Sequence, residues 1–287
     1  LRPVLIGTQF EGSVEEIEAL WDRMYATMRV RGQTGGFMLD AIAGVDIGLW
    51  DLAGKIQGRS VAALLSDHPK TQVPAYVSGL RAEEGRGWWE AGFRTFKLYY
   101  DRDLAALLAA FDALRAELPQ AAIAVDALWR LTPENAVAFG RALDERGARW
   151  LECPLPPEDP AAHAVLAAAL RTPLALGESY RTRYEIAPFL GAARVLQPDL
   201  GRCGLTEARR IARMAPEVVP HVSIALGPQV AAAIHFAAAM PNCDLAEYNP
   251  RVLETANRFL ETPLACRAGG YLVPQAPGLG VEVRLRA

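Results

Sequence analysis

Three acidic residues, each closing a short apolar run, restrict this chain more than any other feature. The runs are Ile123-Ala124-Val125-Asp126, Arg149-Trp150-Leu151-Glu152 and Leu174-Ala175-Leu176-Gly177-Glu178. An apolar run of about four residues between polar or turn residues has the pattern of a buried parallel strand, and an acid at its C-terminal end is out of place in a core. Something must offset the cost of those charges. The steps from 126 to 152 and from 152 to 178 are both 26 residues, room for a strand, a loop, a helix of about 10–12 residues and a return loop. That is the length of one βα unit. Successive units ending in acids aim three side chains into one space at the C-terminal edge of adjacent strands, where such folds place their sites. Three hard oxygen ligands meeting there suit Mg²⁺, which takes one or a few carboxylates and leaves positions for water and substrate. The competing reading, three unrelated acids at loop starts, needs a coincidence of both spacing and context.

The alternation extends well beyond these units. Strands are expected at 73–77, 95–99, 123–125, 149–151, 174–176, 195–197, 217–220 and 245–247, with helices at 83–91, 104–118, 133–146, 160–170, 183–190, 205–214 and 228–240 between them. A pattern so sustained predicts an α/β fold whose parallel strands close into a TIM-type (β/α) barrel. One barrel of about 250 residues takes up most of the 287 residues, and 51% apolar content supplies its core. Ahead of it, Ser13-Val14-Glu15-Glu16 is a capping-box helix start, followed by Ile17, Leu20, Met24 and Met28 on one face. Gly32 to Gly36 breaks that helix. A second helix, 39–56, is apolar on nearly every side and is expected to be buried between two layers, with Asp46 and Asp51 as buried, hydrogen-bonded structural acids. Beyond Pro250 the chain reads as irregular, with strand and loop at 270–274 and 278–280 outside the barrel.

Charge and composition exclude several classes. The net charge is −3, with no basic run, so a nucleic-acid partner is not indicated. No apolar stretch reaches the length of a membrane span, and Leu1-Arg2-Pro3 lacks the regions of a signal peptide. Cys153, Cys203, Cys243 and Cys266 stand alone, without Cys-x-x-Cys spacing, and read as reduced residues of a cytoplasmic protein. The expected partners are a small-molecule carboxylate substrate and further copies of this chain in a homo-oligomer.

Further candidates fall at the same edge of the barrel. Lys97 and Tyr99 lie two apart on one strand and so point the same way. Val195-Leu196-Gln197-Pro198-Asp199 ends its strand in an acid, Val218-Val219-Pro220-His221 ends the next in a histidine, and Leu245-Ala246-Glu247 closes the series. A lone histidine at a strand end is usually structural, but Asp199 on the preceding strand could orient His221 and raise its basicity. His68, His163 and His235 fall away from these edges.

In this order, the pieces resemble the mandelate racemase-like branch of the enolase superfamily, most closely its acid-sugar dehydratases. The resemblance rests on Ala41 to Lys55, Gly92-Phe93-Arg94-Thr95-Phe96-Lys97, Val125-Asp126-Ala127, Glu152-Cys153-Pro154, Gly177-Glu178, Gln197-Pro198-Asp199, Pro220-His221 and Glu247-Tyr248-Asn249. It implies an enolase-like modified barrel at 73–250. Residues 1–72 would be the C-terminal, helical part of an α+β capping domain, and 251–287 a segment returning to that domain. It implies Asp126, Glu152 and Glu178 as Mg²⁺ ligands, Asp199 and His221 as a catalytic dyad, Lys97 as the first lysine of a Lys-x-Lys motif, and Glu247 as an acid beside the substrate carboxylate. The implied chemistry is removal of a proton next to a carboxylate, then loss of a β-hydroxyl to give a 2-keto-3-deoxy acid.

Departures from the family pattern shape the expectation. Tyr99 stands where many relatives carry a second catalytic lysine, and with an ordinary pKa of about 10 it serves as a base only if cations such as Lys97 depress it. Either Tyr99 abstracts the α-proton and His221 expels the hydroxyl, or Tyr99 positions substrate and His221 performs both transfers; the second is slightly preferred. Leu128 replaces a common asparagine, and Arg130 is a candidate for a distal carboxylate, with surface ion pairing as its alternative. Relatives carry a further N-terminal segment, so this chain is expected to start near the end of the capping domain, with short connections at Gly79-Leu80-Arg81 and Met214-Ala215-Pro216. A racemase or epimerase, which needs two bases, and a noncatalytic barrel used for binding are the other readings.

Overall fold

The computed structural model describes residues 1–222 and 226–284. Eight parallel strands build the barrel: β1 (Gln72–Ser78), β2 (Thr95–Tyr99), β3 (Ala122–Asp126), β4 (Leu151–Glu152), β5 (Leu174–Leu176), β6 (Ala193–Leu196), β7 (Glu217–Val218) and β8 (Ala246–Tyr248). They follow one another in chain order from β1 to β7, and β8 returns to pair with β1. Alternation decides which residues face inward. Tyr76, Ala124, Trp150, Ala175, Val195 and Val219 pack together in the barrel interior. Residues one position away, such as Val77, Val125 and Leu151, join the larger core beneath the outer helices.

The helices Leu104–Glu117, Pro133–Arg146, Pro160–Ala169 and Gly227–Ala239 lie within a residue of expectation. Two expected helices are each split, into a 3₁₀ turn Ala82–Glu84 with a helix Gly85–Glu90, and into a helix Arg183–Ile186 with a 3₁₀ turn Ala187–Phe189. The helix expected from 205 begins earlier, at Leu200, and kinks at Gly204, whose φ is +71°. Glycine is required there, because a Cβ would lie 2.6 Å from Asp46 Oδ2. Pro250, read as the start of irregular chain, instead opens the helix Pro250–Asn257, with Asn249 capping the Arg251 and Val252 amides. Proline at the first helical position loses no hydrogen bond, so it marks a start as readily as a break. A hairpin follows, β9 (Cys266–Arg267) and β10 (Gly270–Leu272), and β10 pairs antiparallel with the first residues of β1, outside the ring of eight.

Before the barrel, the helix Val14–Arg29 starts with the expected capping box between Ser13 and Glu16. The helix Gly36–Gln57 departs from expectation: it is not enclosed between layers. It packs on Val14–Arg29 and on Leu200–Ala212, while Phe37 (90% exposed) and Leu52 (46%) face outward. It also meets the helices Val61–Leu65 and Gly227–Ala239, and the side that these four neighbours leave uncovered carries Leu52. Asp46 is buried and bonded, accepting from the backbone amide and hydroxyl of Thr206, which also accepts from Trp50 Nε1 at 3.0 Å. Burial pushes its carboxyl up to about 6 despite those bonds. Asp51 is only partly buried, accepting from Leu279 N at 2.8 Å and pairing with Lys55 at 3.0 Å. No helix among the described residues is long and apolar enough to cross a membrane.

His235, on Gly227–Ala239, joins two distant segments from within the core. Its Nδ1 accepts from Ala62 N at 3.1 Å and its Nε2–H donates to Leu279 O at 3.0 Å, which fixes the neutral tautomer. Burial holds the imidazole down to about 4, against an ordinary 6.5. The unfolded chain therefore takes up a proton first as pH falls, and stability present above pH 6.5 is lost progressively toward pH 4. The stability advantage of the wild type over His235→Gln is expected to shrink by about 2 kcal/mol between pH 7 and pH 5. Urea titrations of both proteins at the two pH values check it; a constant difference would show that the ring is not held neutral.

Candidate active site

The strand register places the acids side by side. Asp126 closes β3 opposite Glu152 at the end of β4, and Glu178 follows β5 by two residues. Gly177 makes the last turn possible: its φ is +142°, and a Cβ would lie 2.7 Å from Gln197 N. One oxygen from each of Asp126, Glu152 and Glu178 lies within 4.8 Å of the others. Oxygens about 2.1 Å from a shared Mg²⁺ are separated by roughly 3–4 Å, so the cluster needs little adjustment to take one. Its electrostatics ask for a cation. Burial, then the Glu152 charge, holds the Asp126 carboxyl well above its ordinary range. Burial also raises Glu178, with Glu152 adding to it and His221 opposing it. Three hard, mutually repelling oxygen donors in a desolvated space fit Mg²⁺.

Lys97 sits among the acids, 1% exposed. Its Nζ contacts Glu152 Oε1, lies 3.0 Å from Glu247 Oε1 and 3.7 Å from Asp126 Oδ2. Burial alone would lower the ammonium, but Glu152 and Glu247 outweigh it and hold the group well above its usual value. The two acids thus favour its charged form. The other Glu152 oxygen accepts from Trp150 Nε1 at 3.0 Å and Gln197 Nε2 at 2.6 Å. Sequence reasoning gave neither residue a role; the available signal was the i, i+2 spacing that puts Trp150 and Glu152 on one face. Oε2 thus takes two donors, while Oε1 meets Lys97 alone and keeps a lone pair for a cation. Gln197→Leu is expected to weaken Mg²⁺ binding about 10–100-fold, the cost typical of losing a partner that orients a ligand. Isothermal titration with MgCl₂ measures this, and an unchanged affinity would remove Gln197 from the account.

The opposite wall holds the histidine. His221 Nδ1 lies 2.9 Å from Asp199 Oδ2, and Nε2 lies 3.4 Å from Glu178 Oε2 and 3.7 Å from Glu247 Oε2. Asp199 is itself held by Gly201 N, bonded to Oδ1 at 2.8 Å. Burial would lower the imidazole, but Glu247, Glu178 and Asp199 together raise it to about 10. Glu247 shows the converse: burial favours its neutral form, while Lys97 and His221 hold it ionised, down to about 2. Its Oε2 accepts from Val222 N at 3.0 Å.

Tyr99 is 40% exposed at the barrel mouth, with its hydroxyl 2.7 Å from Ser78 Oγ. Burial outweighs the influence of Lys97, so the phenol lies above its ordinary value, opposite to what a base near neutrality needs. Leu128 takes a positive φ of 53° and its backbone amide donates to Asp126 Oδ1 at 2.8 Å, so a main-chain group steadies that acid. Arg130 donates to Tyr100 O at 2.7 Å and Asp101 Oδ1 at 2.8 Å, an ion pair that ties the loops after β2 and β3.

Comparison with known proteins adds to the geometry. Residues 81–287 match the enolase C-terminal domain-like family, and residues 1–66 match the N-terminal domain of mandelate racemase / muconate lactonizing enzyme. The chain is 33% identical to a D-galactarolactone cycloisomerase of Agrobacterium fabrum, covering 93% of this chain and 78% of that protein. It is 30% identical to an arabinonate dehydratase of Saccharolobus solfataricus, covering 99% and 79%. Among solved structures, an enolase-superfamily member from Agrobacterium tumefaciens superimposes with a TM-score of 0.88 at 33% identity, covering 94% of this chain and 73% of that one.

Proposed function

The chain belongs to the mandelate racemase / muconate lactonizing enzyme family of the enolase superfamily, and we propose that it is a Mg²⁺-dependent dehydratase of a sugar acid, an aldonate or aldarate. The observation that carries this reading is the Lys97 ammonium, buried between Glu152 and Glu247, facing a histidine–aspartate pair across one space. Asp126, Glu152 and Glu178 would hold Mg²⁺, which supplies positive charge where the enediolate dianion develops.

The protein's own groups account for the proton traffic. Lys97 receives the substrate carboxylate as a cation, and Glu247 sets its position. Asp199 takes the Nδ1–H of His221, so Nε2 is the atom that exchanges protons with substrate. Each carboxylate charge neutralised around His221 loosens its hold on the proton, which lets Nε2 act as base toward the α-carbon. The imidazolium so formed, stabilised by Asp199, gives its proton to the β-hydroxyl, which departs as water. Tautomerisation yields the 2-keto-3-deoxy acid. One residue performing both transfers accords with a phenol at Tyr99 that keeps its proton.

A second reading, isomerisation without water loss, has one observation in its favour: the similarity to a cycloisomerase at 33% identity. Incubating the Mg²⁺-loaded protein with D-galactonate, D-arabinonate, D-xylonate, L-rhamnonate, D-galactarate and D-galactarolactone, followed by mass spectrometry, separates the two. Loss of water with formation of a 2-keto acid supports the dehydratase; a new isomer of unchanged mass supports the alternative. Turnover of none of these classes would defeat both.

A further inference from the structure

We infer that Asp40, on the helix Gly36–Gln57, is a positioning residue for the metal site, holding the turn of Glu178 through the guanidinium of Arg181. The inference rests on the proposed Mg²⁺ site and adds to it a residue from the N-terminal helices. The three acids are not held alike. Asp126 and Glu152 are the last residues of β3 and β4 and sit opposite each other in the ladder, so strand pairing fixes their backbones. Glu178 lies two residues past the end of β5, beyond Gly177 and its φ of +142°. Strand pairing does not reach it. A ligand carried on a turn is placed less precisely than one on a strand unless surrounding groups lock it, so Glu178 is the acid that needs an outside anchor.

That anchor lies just downstream. Tyr180 N donates to Gly177 O at 3.0 Å and closes the turn, and the Tyr180 hydroxyl donates to Pro157 O at 2.8 Å. Arg181 then fastens the turn to the N-terminal helices. Its Nη1 donates to Ser179 O, the carbonyl of the residue after Glu178, at 3.2 Å, while Nε and Nη2 donate to Asp40 Oδ1 and Oδ2 at 2.7 and 3.2 Å. Two parallel bonds fix the plane of a guanidinium, which a single contact does not. Asp40 therefore sets where Nη1 points, and Nη1 holds the turn. The start of the same helix docks on this segment a second time. A Cβ on Gly35 would lie 3.0 Å from Glu185 Oε1, and Glu185 Oε2 accepts from Arg181 N and Thr182 N, both at 2.9 Å.

The test titrates the full chain with MgCl₂ by calorimetry. Asp40→Asn is expected to weaken binding about three- to ten-fold, less than the roughly 10–100-fold typical of a group bonded directly to a ligand, because Asp40 acts through Arg181. Arg181→Lys keeps the charge but cannot span Asp40 and Ser179 together, and should lose as much. In the Arg181→Lys background, Asp40→Asn should add less than about two-fold, since the two residues act as one unit. The control is Asp112→Asn, which removes the same charge from an equally forked pair with Arg146, 2.8 Å from Nε and 2.9 Å from Nη2. Its affinity should stay within about two-fold of the wild type. A purely structural tie would lower the urea midpoint of Asp40→Asn and leave its affinity for Mg²⁺ unmoved, which would overturn the inference. Equal losses in Asp40→Asn and Asp112→Asn, the mark of a long-range charge effect, would overturn it too. Either result leaves the metal site standing. A wild type that binds no Mg²⁺ would remove the site and the inference with it.

Discussion

Replacing His221 with asparagine is expected to lower dehydration turnover by about 10³–10⁴-fold, the scale of losing a positioned general acid–base. Asparagine is close in size to the imidazole and can still donate to Asp199 Oδ2, the partner now 2.9 Å from Nδ1. It cannot carry a proton to or from carbon. Because the account gives both transfers to Nε2, washout of α-deuterium into solvent should fall with turnover rather than survive it. Tyr99→Phe is the contrasting case: the phenol keeps its proton, and turnover should stay within about ten-fold of the wild type, the scale of a lost hydrogen bond. Washout that persists in His221→Asn but vanishes in Tyr99→Phe would reverse the assignment, and undiminished turnover in His221→Asn would defeat it.

Glu152→Gln is expected to abolish measurable activity and to weaken Mg²⁺ binding by at least about 100-fold, beyond the effect of losing an orienting partner alone. The substitution preserves shape and removes one charge, but the hydrogen bonding does not survive. Glu152 accepts on both oxygens, from Lys97 on one side and from Trp150 Nε1 and Gln197 Nε2 on the other. An amide has one oxygen, so either orientation turns a donor toward a donor at a buried position, at about 1–3 kcal/mol. Calorimetry with MgCl₂ and a turnover assay on the same preparation read both effects. An affinity within a few-fold of the wild type would mean that Glu152 serves Lys97 and not the cation.

What could be read from the chain follows from how periodic each signal is. The acids were accessible because βα units repeat at a near-constant length, so residues 126, 152 and 178 had to emerge at one edge once the strands were parallel. The structure gathers Asp126, Glu152, Glu178, Lys97, His221, Asp199 and Glu247 around one space. Tyr99 stands at its rim. The supporting residues were not accessible in the same way. Trp150 looks like any interior aromatic, and whether its Nε1 meets a carboxylate depends on a rotamer. Gln197 acts from a strand distant in sequence from its partner Glu152, and no local pattern reports such a contact. The helix Pro250–Asn257 was missed because proline signals both the end of one element and the start of another. The open face of Gly36–Gln57 was missed because an apolar surface does not state what covers it.

Crystals grown with Mn²⁺ in place of Mg²⁺ give the most direct measurement, an anomalous difference map at the C-terminal end of the barrel. A single peak is predicted, about 2.0–2.3 Å from one oxygen each of Asp126, Glu152 and Glu178, with Lys97 outside its coordination shell. A peak coordinated by other residues, or none at saturating Mn²⁺, would contradict the proposed site and the reaction built on it.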